Sequence, residues 1–162
     1  MTGYDPVDPG DPKTRVSLPL NTLHGIAGEL LVKADLMMRG YWPWEAAYHA
    51  AAPYDILVEV DGQILRVQVK SVAEPRWEDR SHHGQGTYNR GWQFSLRKGV
   101  GAKERYEESE VDVVALVALD ASRIAYRSMS SLKTNVGIIT TLNLKESDFD
   151  EFSKFPPEAS NP

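Results

Sequence analysis

Gln68-Val69-Lys70 closes an apolar, strand-like run, Asp55 opens the run before it, and Glu29 lies upstream on a helix-like segment. A carboxylate, a second oxygen donor and a lysine at the edge of one hairpin, joined by a helical carboxylate, are the parts of a Mg²⁺ phosphodiesterase site. Mg²⁺ takes a few oxygen ligands at about 2.0–2.1 Å and keeps several waters. One carboxylate and one amide carbonyl therefore suffice, with water and a phosphate oxygen completing the shell. Lys70 is placed to orient or help deprotonate an attacking water and to offset charge developing on phosphorus. Glu29 is placed to hold that water or a second metal. Any one of these residues alone is ordinary surface decoration. An amide and an ammonium together in a buried-looking strand need something to pair with them.

The elements that must position these groups are legible in the surrounding pattern. Residues 55–60 and 64–70 are β-rich runs joined by Asp61-Gly62-Gln63, a hairpin turn. Strand side chains alternate faces, so Gln68 and Lys70 point the same way with Arg66, while Val67 and Val69 point into the opposite layer. Asp55 sits on the adjacent strand, about 4.8 Å away, within reach of a cation shared with Gln68. A helix is expected from Asn21, capped by Asn21 or Thr22 and stopped at Gly40. Its apolar face would be Leu23, Ile26, Ala27, Leu30, Leu31, Ala34, Leu36 and Met37. Residues 41–52 read as an extended segment followed by a helical turn that packs aromatics, and residues 74–91 as a long polar loop. Residues 92–97 resume strand alternation, and residues 111–119 are the continuous apolar run of a strand buried on both faces. Further strands are expected at 124–129 and 137–142, and a closing helix at 146–155. The fold class is α/β, a mixed β-sheet flanked by helices.

The chain of 162 residues suits one domain with a substantial core. Residues 1–20, with four prolines and alternating Asp, read as a disordered arm; 21–155 is the folded domain and 156–162 a short tail. There is no cysteine, so disulfide frameworks and thiolate zinc sites are excluded. That suits a reducing compartment, and with no apolar run of membrane-spanning length the expectation is a soluble cytoplasmic protein without a membrane role. The net charge of −5 hides a strong asymmetry. Residues 1–65 carry 4 basic and 9 acidic side chains, residues 66–106 carry 9 and 4, and residues 107–162 carry 5 and 10. The positive segment follows the proposed site, and its Arg66, Arg76, Arg80, Arg90, Arg97, Lys98, Lys103 and Arg105 are candidate contacts to a polyanion such as DNA. Trp77, Tyr88 and Trp92 interleave with those arginines; aromatics so placed stack on bases or pack in a core, and Trp92, at a strand start, is the core candidate. His82-His83 lacks a third metal ligand at suitable spacing, and Gly84-x-Gly86 lacks the helix of a dinucleotide fingerprint.

In these residues the chain resembles the PD-(D/E)xK nuclease superfamily, whose core is restriction-endonuclease-like. The matching segments are Gly25-Ile-Ala-Gly-Glu29, Pro53-Tyr54-Asp55 and Gln68-Val69-Lys70, with Arg105-Tyr106 and Glu110-Val111-Asp112. They span roughly residues 22–130. The nearest likeness is to the branch of group I intron homing endonucleases and Holliday-junction-resolvase-like relatives, where Gln-x-Lys often replaces (Asp/Glu)-x-Lys. The resemblance implies that Asp55, Gln68 and Glu29 are metal ligands, that Lys70 is the catalytic lysine, and that Mg²⁺ is the cofactor, with Mn²⁺ as a substitute. It further implies a metal-dependent endonuclease acting on duplex or branched DNA as a homodimer or higher oligomer, homing-, resolvase- or restriction-like. Two departures stand out: Tyr54 separates Pro53 from Asp55, and Gln68 removes one negative charge. That charge loss keeps open an alternative, a catalytically inactive nuclease-fold protein that binds DNA or serves assembly. A purely structural role is a third reading.

Overall fold

Asp61 and Gly62 both adopt positive φ, 50° and 78°, which is the type I′ turn that matches the twist of a two-residue hairpin. In the computed structural model, which describes residues 18–46, 52–79, 88–98 and 104–158, this turn joins the two strands that carry the proposed site. The described elements are α1 (Leu20–Met38), β1 (Pro43–Glu45), β2 (Ile56–Val60), β3 (Gln63–Val72), β4 (Arg76–Asp79), β5 (Tyr88–Ser95), β6 (Val113–Ala118), β7 (Arg123–Ser128), β8 (Lys133–Thr134), β9 (Gly137–Ile138), β10 (Thr141–Leu144) and α2 (Glu146–Glu151). Five of the strands form a mixed sheet in the order β1-β2-β3-β6-β7. The β3–β6 pair is parallel, with Val67 opposite Val113, and the other neighbours are antiparallel. The α/β class with a mixed sheet is thus as expected.

The sheet separates two apolar layers. Every residue of β6 is buried, as its unbroken apolar run requires. Val113, Ala115 and Val117 face α1 together with Ile56, Val58, Val67, Val69 and Tyr126. Val114, Leu116 and Ala118 face the other way, into a layer made with Trp92, Phe94 and Leu96. That second face is covered by a three-stranded antiparallel sheet, β10-β5-β4, and by α2, whose Phe149 meets Trp92 edge-on at 5.2 Å. Trp92 is accordingly fully buried.

Several local expectations are corrected. Residues 74–91 are not one loop: β4 and the start of β5 lie within them. The extended segment expected at the start of residues 41–52 is there, as the edge strand β1, whose Pro43 sits where an edge tolerates a missing donor; the helical turn expected after it falls on residues 47–51, outside the described residues. The strand expected at 137–142 is two, β9 and β10, and the closing helix ends at Glu151, so that Phe155 turns back onto Tyr41 and Tyr126 at ring distances of 5.4 and 5.0 Å. Helix α1 begins one residue early, with Pro19 at its N-cap and no side-chain cap. Its C-terminus is a Schellman turn: Gly40 has φ 88°, and the Tyr41 N–H reaches back to the Leu36 carbonyl at 3.0 Å.

The largest correction concerns the face of α1. Gly28, Val32 and Leu36 are buried against the sheet, whereas Leu23, Ile26, Leu30 and Met37 of the expected apolar face point outward. The helix is apolar on two opposite sides, so periodicity alone does not say which side packs. Of the proposed N-terminal arm, residues 1–17 lie outside the described residues, as do residues 159–162 of the tail.

Candidate active site

The site begins where β2 leaves β3. The antiparallel register runs Ile56 opposite Val67, which puts Asp55 opposite Gln68. The Asp55 N–H still donates to the Val67 carbonyl at 3.0 Å, the last main-chain bond between the strands at this end. One step further the side chain takes over: Asp55 Oδ2 accepts the Val69 N–H at 2.8 Å and Gln68 Nε2 at 2.6 Å. The carboxylate satisfies a β3 donor that would otherwise be orphaned where the ladder opens.

Gln68 is 8% exposed, the one buried polar side chain among the described residues. Its Nε2 also donates to the Val69 carbonyl at 3.1 Å. A carboxylate oxygen and a carbonyl oxygen thus converge on one amide nitrogen, and rotation of that amide presents its own oxygen to the same place. Three hard oxygen donors meet there, the donor chemistry of Mg²⁺ and not that of thiolate-bound zinc. Among the described residues no three His, Cys, Asp or Glu side chains cluster to hold a metal, so a metal here depends on the amide and the backbone. The Val69 carbonyl escaped sequence reading because every residue carries one.

Lys70 points to the same side as Gln68, as the strand parity requires. Its Nζ donates to the Arg97 carbonyl at 3.0 Å and lies 5.2 Å from the centre of the Tyr106 ring. Burial lowers its pKa, against the opposing pull of the Asp55 charge. Burial, with Asp55 and Glu110 adding to it, pushes the Tyr106 phenol far up, so Tyr106 serves as a neutral, water-excluding wall beneath the ammonium. In the sequence Tyr106 stands out only beside Arg105, in one of the segments that carry the resemblance. Its role emerges from the long-range fold.

Asp55, Gln68 and Lys70 are therefore brought together on one face. Glu29 stands on α1, which packs on the other face, and it is half-buried. It follows Gly28, whose position against β3 is unusually tight. A Cβ built on Gly28 would lie 1.7 Å from Ser71 Oγ, 2.9 Å from Ser71 Cβ and 3.6 Å from a Val69 methyl. The helix thus meets β3 on both sides of Lys70 in sequence, at the end from which β2 has departed. Ser71 Oγ is buried there without a hydrogen-bond partner among the described residues. Gly28→Ala is expected to force α1 off the strand and to lower stability by about 1–3 kcal/mol. Ser71→Gly in the same chain should recover most of that loss in urea unfolding. Additive effects of the two changes would mean that the close approach does not set the helix position.

The basic candidates divide by what holds them. Arg66 is a structural tie. Its Nε and Nη2 grip both oxygens of Asp112 at 2.8 and 2.9 Å, Nη1 reaches the Ser109 carbonyl, and its backbone N–H adds a further bond to Asp112 at 2.8 Å. Burial works to raise the Asp112 pKa, but the Arg66 bonds outweigh it and hold the carboxyl below its usual range. This clamp fixes the start of the parallel β3–β6 pair. Arg76 bonds Gln93 at 2.6 Å, Lys98 pairs with Glu110 at 2.6 Å, and Arg105 Nη1 reaches the carbonyls of Val136 and Ile138 at 2.8 and 3.2 Å. Arg97 is exposed beside the Lys70 end of the site. Arg90 lies on β5 with its side chain outside the described residues, where Arg80, Lys103, His82 and His83 also fall.

Compared with solved structures, the fold is similar to that of a bacterial homing endonuclease, I-Ssp6803I. The TM-score is 0.54 over 81% of this chain and 79% of that chain, at 15% sequence identity. At that identity the likeness is one of fold. No family model matches the sequence, and no curated protein matches it.

Proposed function

We propose that the protein is a metal-dependent DNA endonuclease that hydrolyses phosphodiester bonds. The observation that carries this reading is the convergence of Asp55, Gln68 and Lys70 at the opening of the β2–β3 ladder, with an ammonium desolvated against Tyr106. The likeness of fold to a homing endonuclease and the resemblance of the same residues to the PD-(D/E)xK pattern support it. In this reading Asp55, the Gln68 carbonyl and the Val69 carbonyl would hold Mg²⁺ or Mn²⁺, which would supply Lewis-acid activation of phosphate and of a water.

The chain's own residues do the rest. Without a cation, Gln68 Nε2 neutralises part of the Asp55 charge and keeps the carboxylate in place. Lys70, desolvated and carried on a rigid strand, holds the attacking water and donates to oxygens that gain charge as the bond to phosphorus forms. Its lowered pKa eases proton exchange with that water. Glu29, on α1 against the other face of the sheet, would reach that water only around the open end of the β2–β3 ladder. Arg76, Arg97 and Arg105 are the described, exposed members of the basic set; they would meet phosphates, and the salt dependence of binding would report them. Two such sites, in a homodimer or larger assembly, would cut both strands or a junction.

The test is direct: supercoiled plasmid, a synthetic four-way junction and a randomised duplex library, each with Mg²⁺, Mn²⁺ or EDTA. Cutting of any substrate with either metal and none with EDTA is expected. Salt-sensitive binding without cutting across all three substrates would instead establish the inactive nuclease-fold protein, which the neutral Gln68 favours.

A further inference from the structure

Helix α1 is apolar on the side it turns to solvent. Gly28, Val32 and Leu36 face the sheet, yet the opposite side carries Leu20, Leu23, Ala27, Leu30, Ala34 and Met37, spaced alternately three and four residues apart. That is the seam spacing of a two-helix coiled coil. Its large members are strongly exposed: Leu20 66%, Leu23 41%, Leu30 59% and Met37 48%, with Ile26 at 43% and Met38 at 80% beside them. A helix that packs one apolar face and leaves a second, opposite one in water lacks a neighbour for the second. Among the described residues nothing covers this one.

We infer that a second copy of the chain covers it, through antiparallel pairing of α1 with α1 about a two-fold axis at Leu30. Four features of the helix choose this occupant. The seam is nearly self-complementary about Leu30, for Leu23 then meets Met37 of the other copy and Ala27 lies within one residue's rise of Ala34, large against large and small against small. The seam bears no charge, and its flanking ions are already engaged within the chain: Lys33 with Glu45, and Asp35 with Arg39. Two-fold pairing therefore sets no like charges together, and antiparallel helices align their dipoles favourably. The exposed apolar surface amounts to on the order of 600 Å², at the upper end of what monomers leave in water. It approaches the roughly 800 Å² per partner of a stable complex.

Other occupants fit less well. An interfacial membrane helix needs a basic polar face, whereas the charged residues of α1 and its cap, Glu29, Lys33, Asp35 and Arg39, balance. Residues 1–17 carry Pro6, Pro9 and Pro12 with scattered apolar residues, and so offer no matching stripe. The inference does not depend on the nuclease reading, and its test uses no DNA. Because Glu29 lies on the same helix, the pairing would hold two candidate sites in one rigid frame.

The full chain is to be examined by sedimentation equilibrium at micromolar concentration, beside Leu30→Glu, with circular dichroism as the check on folding. A dimeric or higher even mass is expected, falling at least twofold in the variant with the spectrum unchanged. A monomeric wild type, or a variant of unaltered mass, overturns the inference. Cysteine mapping is clean because the chain has none. Mixed Ala27→Cys and Ala34→Cys proteins should form a disulfide dimer in oxidised glutathione. Neither alone should, since 27 and its symmetry mate lie about 9 Å apart along the helices. Equal cross-linking of each variant with itself overturns the antiparallel pairing. Flotation of monomeric wild type with neutral or anionic vesicles would replace the second copy by a membrane surface.

Discussion

Lys70→Met is expected to reduce metal-dependent cleavage at least a thousandfold while leaving the fold as stable as before, or more so. The two halves have separate physical grounds. Loss of a donor aimed at developing charge costs roughly 10²–10³ in rate, and loss of proton handling about as much again. On the stability side, burial holds the lysine pKa below its ordinary value, so folding penalises its charge. The sign follows from linkage. Between the folded pKa and the ordinary value of 10.5, the unfolded chain binds more protons, and wild-type stability rises with pH. The penalty is complete below that window and absent above it. The Met variant, similar in length and apolar, escapes it, so its advantage in thermal unfolding should shrink as the pH is raised through the window. The bond that Lys70 gives to the Arg97 carbonyl is solvent-accessible, and water replaces it at little cost. A variant that cuts DNA within tenfold of wild type would remove Lys70 from the chemistry, since tenfold is only about 1.4 kcal/mol. One that fails to fold would make it a structural lysine.

Asp55→Asn should lose at least as much activity, by another route. The Asn oxygen can still accept the Val69 N–H and the Gln68 amide, which the carboxylate holds at 2.8 and 2.6 Å, so the opening of the ladder survives. The charge that recruits a divalent cation does not. Binding to the folded state alone raises stability by RT ln(1 + [L]/Kd). The wild-type melting temperature should therefore climb with millimolar Mg²⁺, and that of the variant should stay flat. An equal metal response in both proteins would place the cation elsewhere, whatever happened to cleavage. Asp55→Ala is expected to be worse for folding, because it leaves the Val69 donor and the buried Gln68 amide without their acceptor.

The parts of this arrangement that sequence reveals are the local ones. The hairpin was legible because a period of two flanks Asp61-Gly62, and strand parity alone put Gln68 and Lys70 on one side. Asp55 opposite Gln68 follows from the length of the turn. What sequence hides is long-range. Nothing local says that β5 pairs with β10, with Trp92 opposite Leu144, so residues 74–91 read as loop although two strands draw on them. Helix α1 carries apolar residues on two opposite sides, and only the observed closeness of Gly28 to Ser71 tells which side meets β3. Tyr106 and the Val69 carbonyl join the site through pairings that no motif encodes. Arg66, grouped by charge with the DNA-facing candidates, has its donors turned to Asp112 and Ser109.

The parallel pairing of β3 with β6 also sets when during synthesis the chemistry can exist. A parallel neighbour cannot be reached by a tight turn, so the chain must traverse residues 73–112 before Val113 settles beside Val67. Arg97 and Tyr106, the partners that hold and desolvate Lys70, lie inside that excursion. A nascent or truncated polypeptide ending before β6 therefore displays Asp55, Gln68 and Lys70 as an isolated hairpin, with the ammonium still in water. In the proposed reading the site is therefore late to form: Lys70 gains its surroundings only as β6 pairs with β3.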